Sequence, residues 1–463
     1  MIQKFFLITI LGIALTNALI PTAEIQGSLL NTLEKNGKAN IVISFKQDTQ
    51  PILENVNGKS FETRGHKITS MKTQLEQLAK ESQQGVVSIL KSRSSPVKFQ
   101  SFWINNKIIV KNATLELIQT IADNPDVREI REELVAHIKD TVEKSNPAST
   151  SQEEVSWGVG KIEADQAWNL VGGNHGEGVV VALKGNWRAD GYGWFDAHTR
   201  SRNPNDVQGH GTNAIGVAVG SNGIGVAPGA QWVSCRGCGN NYYDGLVLCW
   251  EEDLLLCGEW ILCPTQWNTQ NPDCSKAPNL VSNSWNCGGS GNYFYTEVVD
   301  AWKAASIFSV FPAGDGGPTC SSVESPADYE GVIGVGATTQ SDGIVSSSCR
   351  GPSIAGVLKP DLTAPALTIR TACRDEDTSY CNAAGTGMAS PHVAGTAAML
   401  LARNPDLTFD QIKDLLQNNT DREVEGAESC GGTNSTHDWP NNVYGYGRIN
   451  ARKALASLIG GSS

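Results

Sequence analysis

The most constraining feature of this sequence is an alanine-rich stretch near its C-terminal end. Residues 393–401 are apolar nearly all round a helix, whereas a surface helix keeps one polar face. A helix of this kind has to be buried on every side. The residues directly before it, 385–390, are mostly small, as a tight strand-to-helix turn requires. This region therefore predicts a central helix in the core of a large domain.

Short apolar runs alternate with helical segments along the second half of the chain. This pattern is typical of a parallel sheet with helices on both faces. In such sheets the functional site lies at the carboxyl ends of the strands. The predicted strands are at residues 179–183, 280–281, 307–311 and 332–335, and a predicted helix spans residues 295–305.

A smaller α/β unit precedes this region. Residues 41–45, 102–110 and 127–130 have strand-like sequences, and residues 71–90 and 113–122 have apolar residues at helical spacing. This order of elements suits a ferredoxin-like sandwich. Residues 141–154 are polar and have linker composition. A chain of 463 residues is long enough for two or three domains.

The N-terminus has the pattern of a signal peptide. Lys4 supplies the positive charge, residues 5–15 are apolar, and residues 16–18 place small side chains at a cleavage site. A membrane anchor is the less favoured alternative, because this apolar run is too short to span a bilayer comfortably. We therefore expect residues 1–18 to be removed and the protein to be secreted.

All 12 cysteines lie between Cys235 and Cys430, and an even number after a secretory signal favours disulfides. Cys373 and Cys381 are close enough in sequence to form a bridge. The Cys235-x-x-Cys238 spacing also suits half of a zinc site or a redox motif, although no second ligand pair follows. Three sequons, at Asn112, Asn418 and Asn434, are predicted glycan acceptors.

Five ordered motifs point to one family. Residues 385–395 match G-T-S-M-A-x-P-H-V-A-G except at Gly387, and Gly209-His210-Gly211-Thr212 resembles H-G-T-H. Residues 281–285 resemble V-N-N-S-W, residues 312–318 resemble A-G-N-x-G-P, and residues 446–450 resemble G-x-G-R-I-N. The chain thus resembles the subtilase family (subtilisin-like, peptidase S8), in its bacillopeptidase-F-like branch, from about residue 150 to residue 457.

The resemblance implies an α/β fold: a subtilisin-like parallel sheet sandwiched by helices, preceded by a small ferredoxin-like α+β propeptide domain. The expected domains are the signal peptide (residues 1–18), the propeptide domain with its linker (19–150) and the peptidase-like domain (151–463). In subtilases the triad follows the chain order Asp, His, Ser. His210 occupies the histidine position and is the remnant general base.

Three departures break this triad. Gly387 stands at the nucleophile position and has no hydroxyl to form an acyl-enzyme. The aspartate segment expected after residue 182 is missing, and Asp190, Asp196 and Asp206 are more simply loop carboxylates. Ser282 aligns with the first asparagine of the V-N-N-S-W motif, so we assign Ser282 to the oxyanion position. Thr386 and Ser390 are weak candidates for a substitute nucleophile.

These departures favour a secreted serine protease homologue that is inactive and binds a protein or peptide in its cleft. The alternatives are an active serine endopeptidase whose gene sequence is faulty and a purely structural glycoprotein. The expected partners are a polypeptide in the substrate cleft and the chain's own propeptide tail, around residues 137–144. We expect a monomer without a cofactor, and a structural calcium ion stays unassigned. The net charge of −12 without a basic patch argues against nucleic acid, and we expect no membrane partner.

Overall fold

A computed structural model describes residues 23–138, 155–170, 180–181, 186–240, 246–375 and 379–460. The predicted signal peptide, the polar linker and most of the segment around the missing aspartate lie outside these residues. The described chain forms two compact units. The first comprises residues up to 47, 82–100 and 107–132, and the second comprises residues 48–81, 101–106 and 133 onward.

The elements up to residue 138 are, in chain order, β1 (Glu24–Ile25), α1 (Gly27–Asn36), β2 (Ala39–Phe45), α2 (Gln50–Asn57), α3 (Arg64–Lys91), β3 (Phe99–Phe102), β4 (Lys107–Ala113), α4 (Leu115–Ala122), β5 (Val127–Glu132) and β6 (Val135–His137).

The elements from residue 157 to 304 are α5 (Trp157–Lys161), α6 (Ala164–Leu170), β7 (Val180–Val181), β8 (Asn186–Trp187), β9 (Trp194–Asp196), α7 (His210–Val219), β10 (Gln231–Trp232), β11 (Ser234–Arg236), β12 (Gly239–Asn240), β13 (Val247–Trp250), α8 (Glu251–Leu262), β14 (Leu280–Ser282) and α9 (Thr296–Ala304).

The remaining elements are β15 (Phe308–Pro312), β16 (Ile333–Thr338), β17 (Leu362–Pro365), β18 (Ile369–Ala372), β19 (Tyr380–Ala383), α10 (Thr386–Arg403), α11 (Phe409–Asn418), β20 (Thr420–Asp421), β21 (Ser429–Cys430), β22 (Thr433–Asn434), β23 (Arg448–Ile449) and α12 (Ala451–Gly460).

The first unit is built on a five-stranded sheet with the order β1-β5-β2-β4-β3. Strand β2 lies antiparallel between β4 and β5, and its register pairs Ile43 with Ile108 and Ile130. This arrangement matches the predicted ferredoxin-like sandwich. The predicted continuous strand over residues 102–110 is wrong, because residues 103–106 form a turn that separates β3 from β4.

The second unit is built on a nine-stranded sheet with the order β20-β23-β17-β16-β15-β14-β7-β10-β8. Its neighbouring strands pair in parallel, except for the antiparallel edge pair β20 and β23. The predicted strands at residues 280–281, 307–311 and 332–335 are β14, β15 and β16. The predicted α/β fold with a parallel sheet is therefore confirmed.

The core of this unit is centred on α10, as the sequence predicts. Its residues from Thr386 to Leu401 are buried. Gly395 permits close packing between helices, because a Cβ added there would lie 2.9 Å from the Ala218 carbonyl oxygen of α7 and 2.6 Å from Val226. The small residues of this helix thus let neighbouring elements approach it closely.

His392 makes the stability of this core depend on pH. Its ring is fully buried on α10, Nδ1 lies 2.8 Å from the Met388 carbonyl oxygen, and Nε2 has no hydrogen-bond partner among the described residues. Burial lowers the pKa of His392 to about 4, although the hydrogen bond to the Met388 carbonyl oxygen acts to raise this pKa. The neutral ring is therefore the form that the fold retains.

The His392 ring takes up a proton below pH ~6.5 in the unfolded chain, but only below pH ~4 in the folded chain. Its contribution to the unfolding free energy is therefore complete above pH ~6.5 and is lost as the pH falls from ~6.5 to ~4. We expect a loss of about 3 kcal/mol of unfolding free energy across this window. Urea unfolding at pH 7.5 and pH 5 should show a smaller pH effect in His392→Gln than in the wild type. The exposed His437→Gln is the matched control, and an equal effect in both variants would contradict the assignment.

Five disulfides link ten of the cysteines, and Cys287 and Cys349 are in none of them. Cys235 pairs with Cys257 and Cys238 pairs with Cys249, so the alternative of a zinc or redox motif at Cys235-x-x-Cys238 is wrong. The predicted bridge between Cys373 and Cys381 is present. A search for membrane-spanning helices in the described parts of the chain finds none that is long and apolar enough.

Candidate functional site

The candidate site lies at the N-terminus of α10, where Gly387 occupies the first helical turn. Gly385 precedes the helix with φ of 119°, a conformation that favours glycine. The free backbone N–H groups and the dipole of a helix N-terminus attract negative charge. The backbone is therefore arranged to favour negative charge beside residue 387, where the glycine supplies no side chain.

The carboxylate of Asp315 already binds this helix N-terminus. It accepts hydrogen bonds from the Thr386 backbone N–H at 3.1 and 3.2 Å and from Thr386 Oγ1 at 2.6 Å. Ser347 Oγ lies 3.3 Å from the same carboxylate. Asp315 thus places a negatively charged group directly beside Gly387.

The two hydroxyl side chains on the first turns of α10 are both buried. Thr386 is fully buried, and its hydroxyl donates to Asp315. Ser390 is also fully buried, and its Oγ has no hydrogen-bond partner among the described residues. Ser284 Oγ, from the loop after β14, donates to the Gly387 carbonyl oxygen at 3.3 Å. The substitute nucleophiles considered from the sequence are therefore enclosed by protein.

His210 is the first residue of α7 and is buried at 2% exposure. Gly209 precedes it with φ of 99°. The Asp206 carboxylate caps this helix, accepting from the N–H groups of Gly209 and Thr212, each at 2.8 Å. Burial alone would raise the pKa of Asp206, but these hydrogen bonds outweigh it and hold the pKa below its ordinary value. Asp206 therefore positions the helix that carries His210.

The other two carboxylates that precede His210 also have defined partners. Asp190 lies 3.3 Å from Arg188 and 2.9 Å from Lys276. Asp196 is buried, accepts from Thr199 and lies 3.3 Å from Arg236. The interpretation of Asp190, Asp196 and Asp206 as solvated loop carboxylates thus understates their structural roles.

Asn213, which stands in place of the family's second histidine, joins α7 to the β18–β19 hairpin. Its Nδ2 donates to the Ala372 carbonyl oxygen at 2.8 Å and lies 3.2 Å from Cys381 Sγ. The Cys373–Cys381 bridge closes the same hairpin. The side-chain amide of Asn213 therefore supplies the hydrogen-bond donor that joins α7 to the hairpin.

Ser282, assigned from the sequence to the oxyanion position, ends β14. It is 9% exposed, and its Oγ has no hydrogen-bond partner in the described chain. A second polar side chain, that of Asp315, contacts Thr386, the residue next to Gly387. The sequence alone could have drawn attention to Asp315, because this residue replaces the asparagine of the A-G-N-x-G-P motif. A carboxylate accepts hydrogen bonds and repels a developing oxyanion, so it cannot act as an oxyanion donor.

His210, Ser282 and Ser284 line one cavity of about 1030 Å³ in the second unit. Aromatic side chains, including Trp194, Trp232 and Trp285, line other parts of it. The structure thus brings together the histidine and V-N-N-S-W motifs that the sequence placed far apart. Cavities of this size with mixed apolar and polar walls commonly bind ligands.

Residues 133–138 of the chain lie against this site as an extended strand. Strand β6 pairs antiparallel with β13, which also pairs with β12. His137 N–H donates to the Asn286 carbonyl oxygen at 2.7 Å, and Asn286 N–H donates back to His137 at 3.1 Å. Ile138 lines the cavity beside His210. Of the tail expected at residues 137–144, His137 and Ile138 are described beside the cavity, and residues 139–144 lie outside the described residues.

No group of three or more His, Cys, Asp or Glu side chains within the described ranges is arranged to hold a metal ion. The acidic side chains at the site are bound by backbone N–H groups and hydroxyls, as for Asp206 and Asp315. We assign no residue to a cofactor.

The comparisons with known proteins agree with this geometry. The subtilase family model matches residues 181–447, which is more than half of the chain. Bacillopeptidase F of Bacillus subtilis is 31% identical over 95% of this chain, and the matched region covers 33% of that relative. Serine protease AprX of Bacillus subtilis is 30% identical over 57% of this chain and 61% of its own length.

The chain therefore spans about a third of bacillopeptidase F and less than two thirds of AprX. The family match begins at the last residue of β7 and includes the His210 helix and the Gly387 turn, and it ends at Gly447. The parallel sheet, the buried α10 and the ordered motifs point to the same conclusion. This chain belongs to the subtilase family, the subtilisin-like serine proteases.

Proposed function

We propose that this protein is a secreted, non-catalytic subtilase homologue that binds an extended polypeptide in the groove beside His210. The observation that carries the proposal is the first turn of α10. Gly387 has no side chain there, Asp315 places an acceptor beside it, and the hydroxyls of Thr386 and Ser390 are buried. The chemistry of acyl transfer needs a nucleophile and oxyanion donors at this place.

The groove keeps the features that bind a peptide. An extended segment can add a strand to an exposed sheet edge, with main-chain hydrogen bonds supplying affinity. Residues 135–137 do this on β13, and the reciprocal bonds between His137 and Asn286 hold the other side of the strand. The chain's own tail is thus the first polypeptide partner that we propose for the groove.

The tail also blocks the groove against other peptides. A covalently attached segment has a high effective concentration at its site, so a free peptide competes poorly with it. Self-cleavage of the linker would require the serine that Gly387 replaces. We therefore propose that the propeptide stays attached until another protease cuts the linker.

Export is supported by the predicted signal peptide and by the disulfides, which form in oxidising compartments. A relative that is 30% identical over 48% of this chain is the extracellular serine proteinase of a Thermus strain. We propose a monomer that needs no cofactor and contacts neither nucleic acid nor membrane. Asn112 and Asn418 are exposed and accessible to glycosylation.

We expect the wild-type protein, expressed in a host without secreted proteases, to begin near Leu19 and keep its linker. It should not react with a fluorophosphonate serine probe, because Gly387 has no hydroxyl at the position of the family's nucleophile. The amide proton of His137 should exchange slowly, since it is bonded to Asn286. A homogeneous start near Ser151 that inhibitors do not change would show self-processing and refute inactivity. Fast exchange at His137 would refute the occupied groove.

The second candidate function is an active serine endopeptidase whose gene sequence is faulty. The comparison with proteins named as proteases favours it. One splicing error could remove the aspartate segment, but it would not also change the residues at 282, 315 and 387. Sequencing the transcript across residues 182–184 and at residue 387 separates the two candidates.

A further inference from the structure

The cavity that His210 lines continues inward to side chains that are almost fully covered by protein. Trp232 of β10, Ile261 of α8 and Trp302 of α9 line this cavity, yet they are only 2%, 3% and 1% exposed. Side chains that are hidden from bulk solvent and still border a cavity mark its inner end. We call this end the inner chamber, and its walls are Trp232, Ile261, Val281, Ser282, Tyr295 and Trp302.

Two aromatic walls of the inner chamber use their polar atoms elsewhere. Trp302 Nε1 donates to the Gly258 carbonyl oxygen at 3.1 Å, and the Tyr295 hydroxyl donates to the Leu254 carbonyl oxygen at 2.9 Å. These side chains therefore offer ring surface to an occupant of the chamber. Aromatic rings attract other rings in offset-stacked or edge-to-face arrangements. Such walls favour a planar aromatic ligand.

Ser282, at the end of β14, adds a polar group to these walls. The residue is 9% exposed, and its Oγ has no hydrogen-bond partner among the described residues. A buried hydroxyl without a partner lowers stability, so an occupant that supplies the missing hydrogen bond is favoured. Ser282 therefore selects an aromatic ligand that carries a hydrogen-bonding group.

A disulfide fixes two sides of the cavity relative to each other. Cys235 on β11 and Cys257 on α8 both line it, and they are bonded to each other. A covalent link between the walls keeps their shape without a ligand, and a preformed site loses less entropy on binding. The volume of about 1030 Å³ is large enough for a small organic molecule.

The inner chamber and the peptide groove use different parts of the second unit. Strand β6 makes its main-chain hydrogen bonds with β13 and with Asn286. The chamber is lined by β10, β14, α8, α9 and the residue before α9. A ligand in the chamber therefore leaves the hydrogen bonds of residues 135–137 in place.

We propose that the inner chamber is a second binding site, which holds a small fused-ring aromatic molecule with one hydroxyl or similar hydrogen-bonding group. The rings of the ligand pack against Trp302 and Tyr295, and its polar group bonds Ser282 Oγ. This site goes beyond the proposed peptide groove and does not depend on it, because none of these contacts involves the bound strand.

The experiment uses the full chain and two probes, 2-naphthol and naphthalene, which differ by one hydroxyl. Equilibrium dialysis measures the dissociation constant of each. We expect the wild type to bind 2-naphthol about 3–10-fold more tightly than naphthalene, because only 2-naphthol can bond Ser282. In Ser282→Ala the two probes should bind equally. General damage to the fold would weaken both probes alike, so loss of the preference reports the hydroxyl contact itself.

A pair of tryptophan variants tests the aromatic wall. Trp302→Leu should weaken both probes by about 3–10-fold, because it removes a ring that the ligand contacts. Trp260→Leu is the matched control: Trp260 is 2% exposed and donates to the Thr265 carbonyl oxygen at 2.9 Å, but it is outside the described lining of the cavity. Circular dichroism measures the folded content of each variant. Where a tryptophan variant does not fold, the comparison at Ser282 decides.

Absence of saturable 2-naphthol binding to the folded wild type would overturn the site, and so would an unchanged preference in Ser282→Ala. The amide exchange of His137 should be the same with and without 2-naphthol. Faster exchange on adding the probe would place the probe in the peptide groove and would also overturn the inner chamber. Failure of the proposed function has a different signature, namely fast exchange at His137 with no probe present.

Discussion

The variant Gly387→Ser should remain as inactive as the wild type in peptide hydrolysis and in fluorophosphonate labelling. We expect a serine at this position to be poorly activated, because Asp190, Asp196 and Asp206, which precede His210 in the sequence, are each bound to other groups. Asp315 would also oppose the negative charge of the tetrahedral intermediate. Losing the orienting carboxylate costs on the order of 10⁴ in rate. Losing an oxyanion donor costs about 10²–10³, a figure measured in a subtilisin.

The double variant Gly387→Ser/Asp315→Asn tests which position faces the oxyanion. An asparagine at residue 315 can donate a hydrogen bond where the carboxylate only accepts. We expect this variant to exceed Gly387→Ser by about 10² in rate of labelling, since one donor is regained. Gly387→Ser/Ser282→Asn is the matched control, and a larger gain there would return the oxyanion role to residue 282.

Labelling by a small probe is the informative measurement, because the tail hinders larger substrates. Mass spectrometry of the labelled peptide locates the reacting side chain. Turnover in the single variant Gly387→Ser would mean that a carboxylate does orient His210. Labelling at Ser390 would show that α10 opens enough to expose a residue that is buried in the structure.

Replacing Asp361 by Asn should destabilise the protein by about 3–5 kcal/mol, because it leaves a buried lysine without its counter-charge. Asp361 Oδ2 lies 2.6 Å from Lys359 Nζ, and Oδ1 lies 2.9 Å from Lys413 Nζ. Lys359 is 1% exposed, and Asp361 also accepts from the Gly334 N–H at 2.8 Å. The unfolding free energy in urea measures the effect.

The matched control is Asp410→Asn, which breaks the exposed pair with Lys303 at 3.1 Å. Exposed pairs contribute less than about 1 kcal/mol, so this change should have a small effect. The double variant Asp361→Leu/Lys359→Met should recover part of the lost stability, because neither buried charge is left unpaired, although the Gly334 N–H loses its acceptor. Equal costs for Asp361→Asn and Asp410→Asn would contradict the assignment.

The pH dependence of Asp361 has a definite sign. Burial alone would raise the pKa of Asp361, but the charges of Lys359 and Lys413 outweigh it and hold the pKa below its ordinary value. Its contribution to stability is therefore complete above the unfolded pKa of ~3.9 and is lost as the pH falls below that value. In Asp361→Asn this part of the acid sensitivity should be absent.

The sequence predicted strands and helices well where the spacing of apolar residues, or the composition of a segment, is compatible with a single kind of secondary structure. The apolar residues 393–401 could only be a buried helix, and they form the buried part of α10. The predicted strand over residues 102–110 failed because residues 103–106 form a turn. A turn of that kind is selected by contacts remote in sequence, such as the Glu259 carboxylate on the Trp103 N–H.

At the candidate site, too, some features follow from the sequence and others depend on contacts between segments that are remote in the chain. The absence of a side chain at Gly387 is a fact of the sequence, and its chemical consequence needs no coordinates. The capping role of Asp206 and the contact of Asp315 with Thr386 required the fold, because residues 315 and 386 meet only after β15 and α10 pack together. The assignment of the oxyanion position to Ser282 is a prediction from the sequence motif, and the double variants described above test it against Asp315.

The sequence by itself determined the family, the parallel α/β fold and the glycine at residue 387, since each depends on residue identity or on a short-range period. The tertiary structure decided which cysteines pair, which carboxylate lies beside Gly387, and where residues 133–138 bind. These depend on distances between segments far apart in the chain, and local preferences carry no information about such distances.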